Sequence, residues 1–341
     1  MNSREEIMRK LTMLTAVCIT GAAVAVSAEL YLRAPDVLPG TLPEMRTTEY
    51  WIQKMSKPDE VILSPAAIER MNQAYETFIR KPNPFQGEQK ERVPNLSYWW
   101  PGHVNYVPDL KTMAPKAIAD TVRAKIRIEI DYMRGKPFGN AQALEYRPAD
   151  LDRFEREMAL EKVPDTITPK SAIAVRCARL RNVPSFYPME QGVTENGKTR
   201  WDQWNISIVK IGMPVTALHS SRTGEYQFIL CEEGYGWIRS EDIAFGSEKA
   251  IQDFAKARDF VVCAGDRVQF YGDESCTAAA GFFRMGDCLP LESKSNPRRI
   301  KVPMRKINGD FYTETAWLAK DSETHVGWLP YTRRNVVTTA F

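Results

Sequence analysis

Apolar positions follow two different periods along this chain, and the period changes near Thr166. Behind Ser64-Pro65, residues Ile68, Met71, Tyr75 and Phe78 recur at three- and four-residue intervals. That spacing predicts an amphipathic helix. A hydroxyl N-cap followed by proline at the first helical position is a favourable start. Ile118, Val122, Ile126 and Ile130 form one stripe and predict a second helix over Pro115 to Met133. Leu151, Phe154 and Met158, behind Pro148, predict a third. Between the first two lies a loop dense in proline and aromatics, including Tyr98, Trp99 and Trp100. After Thr166, Ile173, Val175 and Cys177 alternate with smaller or polar neighbours, the period-two pattern of a strand. Apart from a short helical connector over 247–257, the remainder reads as strands and turns. The pattern therefore predicts an α+β chain of several domains, mainly helical first and all-β afterwards.

An internal repeat sharpens the second half. Thr223-Gly224-Glu225-Tyr226 opens a strand pair that ends at Gly236-Trp237-Ile238. Asn308-Gly309-Asp310-Phe311 opens another that ends at Gly327-Trp328-Leu329. Two related units of short strands predict two small barrels. In each, the glycine is expected to admit a neighbouring strand while the tryptophan fills the small core.

The N-terminus adds an export signal. Arg4, Arg9 and Lys10 precede the apolar run Leu11 to Val26, and Val26-Ser27-Ala28 offers small side chains for cleavage. Residues 1–28 are expected to be a signal peptide, which places the product in the periplasm or cell envelope. The run is short and threonine-containing for a spanning helix, and no later segment is apolar enough to cross a membrane. The formal charge of +3 gives no support for nucleic-acid binding. Beyond residue 28 stand Cys177, Cys231, Cys263, Cys276 and Cys288, an odd number whose pairing the sequence leaves open. Their spacings match no zinc pattern, and the three histidines, His103, His219 and His325, are far apart. Neither a metal site nor a cofactor is expected.

Several segments carry a family resemblance. Met45 to Ile52 and Pro58 to Leu63 are similar to the start of a helical stabilising domain. Leu180 to Pro184, Trp201 to Trp204, Ile211 to Val215, Leu218 to Ser221 and Gly236 to Ile238 resemble a first bacterial SH3-like barrel. Arg284 to Leu291 and Gly327 to Thr332 resemble a second. Together they resemble the N-terminal, non-catalytic region of NlpC-family cell-wall cysteine peptidases. The resemblance implies a stabilising domain at 29–165, an SH3-like barrel at 166–246, the connector at 247–257 and a second barrel at 258–335. It implies that 336–341 is a linker helix, which in relatives leads into a peptidase cleaving the γ-D-glutamyl–diamino acid bond of peptidoglycan stem peptides. With no such domain after it here, that helix is expected to fray or to pack poorly.

The chain offers little chemistry of its own. Asp287-Cys288 echoes a nucleophile motif, but Leu289-Pro290 follows, and proline does not suit a helix start that would lower a thiol pKa. Cys288 reads as a strand cysteine, His219 as a barrel histidine, and no catalytic residue is assigned. For binding, Trp201, Asp202 and Trp204 are the candidates. In relatives this loop walls the peptidase cleft, which implies an aromatic wall and a carboxylate for an ammonium group. The expected function is an exported cell-wall module binding peptidoglycan or its stem peptides. Two alternatives remain open: part of an active endopeptidase whose catalytic domain is on a separate chain or lost by truncation, and an SH3-like protein-interaction module.

Overall fold

A computed structural model describes residues 42–79, 109–135, 146–187, 202–295 and 298–340. The expected signal peptide, the Tyr98–Trp100 loop and Trp201 lie outside the described residues.

The helices begin where local chemistry starts them. α1 spans Thr48–Gln53, and the Thr47 hydroxyl accepts the Tyr50 amide at 3.4 Å. A short strand, β1 (Val61–Leu63), leads to α2 (Pro65–Ile79), whose entry is capped by Ser64 through the Ala67 amide. α3 (Pro115–Arg134) and α4 (Pro148–Met158) each start on proline. The predicted stripe of α3 is buried: Ile118, Val122, Ile126 and Ile130, joined by Met133. α4 buries Phe154 and Met158 against it. On α2 the stripe is not covered in the same way, since Met71 is exposed.

Two antiparallel sheets of seven strands follow. The first contains β2 (Lys170–Ala174), β3 (Ala178–Arg181), β4 (Asn205–Val209), β5 (Pro214–Ser220), β6 (Tyr226–Cys231), β7 (Gly234–Arg239) and β8 (Ile243–Phe245). Their spatial order is β4-β3-β7-β6-β5-β2-β8. α5 (Glu248–Ala255), capped by the Ser247 hydroxyl, connects the sheets. The second contains β9 (Phe260–Cys263), β10 (Arg267–Tyr271), β11 (Ala279–Arg284), β12 (Cys288–Ser293), β13 (Arg298–Arg305), β14 (Phe311–Leu318) and β15 (Thr324–Val326). Its order, β11-β10-β14-β13-β12-β9-β15, repeats the first strand for strand.

The repeat is therefore present, but its register differs from the sequence expectation by one hairpin. Trp237 of β7 pairs with Arg181, and the corresponding pair in the second sheet is Trp317 with Tyr271. Trp328 lies after β15, outside any strand. Its indole donates to Glu69 of α2 at 2.7 Å and packs on Phe260 at 5.0 Å. The Asn308-Gly309 turn likewise corresponds to the Gly234 turn between β6 and β7. Two Gly-Trp-aliphatic triplets look alike in sequence because each pairs a flexible glycine with a large side chain. The glycines act differently. A Cβ on Gly236 would sit 2.7 Å from Leu180, whereas Gly327 has open space around it and needs its φ of +71°.

Packing explains where alternation failed. β2 buries Ala172, Ile173 and Ala174 in succession. Ala172 and Ala174 face the interior of the first sheet, and Ile173 faces α5 and the second sheet. β6 is covered on both faces in the same manner. Ile229 joins the inner cluster, while Phe228 and Leu230 join α3 and α4. Trp237 also points outward to the helices; it does not fill the small inner core as expected. Buried on two sides, these strands have no polar face to reveal their period.

The end of the chain returns to its beginning. β16 (Tyr331–Thr332) pairs with β1, and α6 (Arg333–Ala340) packs beside α1. Arg334 forms a two-pronged pair with Asp59, and Arg333 reaches Glu60 at 3.2 Å. The expected linker helix thus starts three residues early, at Arg333, and has a partner, though none of its side chains is buried.

Candidate functional site

The loop between β3 and β4 carries the candidate binding residues, and it is built around one ion pair. β3 ends at Arg181, which is 4% exposed. Its guanidinium donates to Asp202 at 2.6 and 3.3 Å and to the Tyr187 carbonyl at 2.8 Å. Asp202 also accepts the Trp204 amide at 3.1 Å and lies 3.5 Å from Arg179. One buried arginine thereby ties the two ends of the loop together, which satisfies most of both charges in a partly dry setting.

Trp204 is fully buried, not part of an exposed wall. Its indole stacks on Tyr146 at 5.4 Å and 9° and meets the edge of Phe154 at 5.0 Å. Burial in this nest pushes the Tyr146 phenol up to about 12. The carboxylate of Asp202 faces arginines, so the ammonium partner expected there is already supplied by the protein. Trp201 lies outside the described residues. The three sequence candidates therefore resolve into an anchor, Asp202, a packing residue, Trp204, and one residue not described.

Two further aromatics, Phe186 and Tyr187, stand exposed at the start of the same loop. Phe186 is 73% exposed and Tyr187 58%. They follow Val183, which is buried in the cluster formed with α3 and α4, and Arg153 of α4 lies 6.0 Å from the Tyr187 ring. Two consecutive aromatics after a proline were the available signal. They are held by the Tyr187 carbonyl on Arg181 and by the Ser185 hydroxyl, which accepts the Tyr187 amide at 3.1 Å. Exposed rings on a pinned backbone suit stacking on a sugar or peptide face, because little freedom remains to lose on contact.

Nothing comparable surrounds the thiols. Desolvation raises Cys177 and Cys263 to about 11, and Cys231 and Cys288 to about 12. A thiol in that range is protonated at neutral pH and is a poor nucleophile. The Cys177 thiol donates to Asp287 at 3.2 Å. His219 contacts the Met158 carbonyl at 3.1 Å, and burial holds its pKa below the usual value. His325 contacts the Gly327 carbonyl. Among the described residues, no group of three metal-binding side chains converges, and no helix is long and apolar enough to cross a membrane. The basic run on β13 is partly answered by Glu292, which lies 3.7 Å from Arg299.

Comparison with known proteins bears on this same region. Residues 191–239 match the SH3 domain family of the SH3b1 type. The match spans the second part of the loop and strands β4 to β7. Among solved structures, an NlpC/P60 endopeptidase from Photobacterium damselae subsp. piscicida is similar in fold, with a TM-score of 0.58 at 17% identity. The similarity covers 84% of this chain and 59% of that one. At this identity the likeness is one of fold. No curated protein matches the sequence.

Proposed function

We propose that this chain is an exported, non-catalytic cell-wall module that binds peptidoglycan or its stem peptides through the loop between β3 and β4. The SH3b1-type match over 191–239 is the observation that carries this reading. The exposed, backbone-pinned Phe186 and Tyr187 supply the contact surface. Asp202 and Trp204 act beneath it, as anchor and support. Sedimentation with purified peptidoglycan tests the proposal. The full chain is expected to pellet with the wall and to resist a salt wash, as a stacking contact should. Recovery no greater than that of an unrelated protein would count against it.

A second reading is favoured by the fold likeness to an NlpC/P60 endopeptidase. Here the module stabilises or positions a peptidase domain of that type. The expected outcome is faster muropeptide release by such a domain when this chain is present. An unchanged rate would remove this reading and leave the binding proposal standing.

A further inference from the structure

A cleft of about 730 Å3 opens on the helical side of the molecule, between α3, α4 and the segment that follows them. Its walls hold four arginines and four carboxylates, which suggests a neutral surface. The pairing is uneven, however. Arg134 takes both Asp152, at 2.7 Å, and Glu155. Arg123 takes Asp165 at 3.1 Å and also reaches the carbonyls of Val163 and Pro164. Glu161 is held by Arg222, which enters from the β5–β6 turn. Every wall carboxylate is thus engaged by an arginine other than Arg127 or Arg156. Among the described residues, neither of those two guanidiniums has a hydrogen bond or ion pair. Both are exposed and both line the cleft.

We propose that this cleft is a binding site for an oxyanion, a phosphate or a clustered carboxylate, recognised by Arg127 and Arg156. The guanidinium is a planar fork whose donors match such groups in pairs. Two of them in one concavity, with the neighbouring acids already committed to Arg134, Arg123 and Arg222, leave two unengaged guanidinium forks in a cleft whose charges otherwise balance. The ion pairs around them also fix the walls, because Arg134 and Arg123 tie α3 to α4 and to the following segment. The site is separate from the loop between β3 and β4 and does not depend on the cell-wall reading.

The test uses the full chain at low ionic strength. Inorganic phosphate is titrated in one arm and a glutamate oligomer in the other, by calorimetry. At least one probe is expected to bind the wild-type chain. Arg127→Gln with Arg156→Gln should weaken that binding by about ten-fold or more, the scale of a lost charge-assisted pair. Lys306→Gln with Lys320→Gln removes the same charge elsewhere and should leave it within about two-fold, as exposed charges act weakly at a distance. The arm that binds identifies phosphate or carboxylate as the ligand chemistry. Unchanged melting of the cleft variant confirms that it folds, and either single replacement serves if the double does not. Absence of binding in both arms, or equal loss in both double variants, overturns the proposal.

Discussion

Glu129 is a carboxyl in a place where charge is expensive. It lies on the buried side of α3, is 7% exposed, and its Oε2 has no hydrogen-bond partner among the described residues. Burial raises its pKa to about 8, and the charge of Lys125, one turn earlier, pulls the other way without prevailing. The folded chain therefore holds a proton that the unfolded chain releases near 4.5. Between these values the unfolded state binds fewer protons, so the stability from this group falls as pH rises, by at most about 1.4 kcal/mol per pH unit. Glu129→Gln should lose that dependence. Denaturant titrations from pH 5 to 8 are expected to show the variant gaining steadily on the wild type, and parallel curves would refute the assignment. Gly236 poses a steric question instead. A Cβ there would meet Leu180 and Ile206, both inside 3 Å. Gly236→Ala should destabilise the chain by about 1–3 kcal/mol through overpacking, read as a lower unfolding midpoint with no change in denaturant slope. Gly327→Ala acts through φ alone and should show no such packing signature in a structure of the variant.

At the scale of elements, the helices were more legible than the strands. α3 and α4 show their buried stripes in the sequence because one face meets the core and the other meets water. Proline marks both of their starts directly. The strands β2 and β6 hide their period because both faces are covered, and the repeat slipped by a hairpin because Trp328 imitates the motif that Trp237 carries. Asp202 and Trp204 stand together just before β4, yet their burial follows from Arg181, Tyr146 and Phe154, which come from distant parts of the chain. No local pattern records that convergence. The β1–β16 pairing was equally invisible, since it joins segments at opposite ends of the described chain. Its ion pairs with α6 are exposed, and pairs of that kind contribute about 0–1 kcal/mol each. Amide exchange is expected to show modest protection at Leu63 and Thr332, well below that of β6 and β7. Protection equal to the sheet core would mean that this clamp is part of the global folding unit.

At the scale of the molecule, the helical layer and the first sheet share a core. Leu218, Phe228, Leu230 and Trp237 pack with Ile118, Ile126, Phe154 and Met158 in one cluster. A boundary drawn at 165/166 follows the change of secondary structure and cuts through this packing. A fragment beginning at residue 166 would expose that apolar face, and patches of this kind drive association. It is expected to aggregate or to bind a hydrophobic dye, whereas a monomeric, dye-silent fragment would show the sheet to be self-sufficient. The second sheet joins through Ile173, Ile211, α5 and the Phe254–Phe311 contact at 5.8 Å. Beside this braced unit, Phe186 and Tyr187 stand exposed after β3. Binding through these rings is read by sedimentation of Phe186→Ala with Tyr187→Ala on purified peptidoglycan, beside the wild-type chain. Stacking of this kind is worth about 0.5–1.5 kcal/mol per ring beyond area burial, so the double variant is expected to lose binding by roughly ten-fold with unchanged melting. Equal binding by the two proteins would contradict binding through these rings.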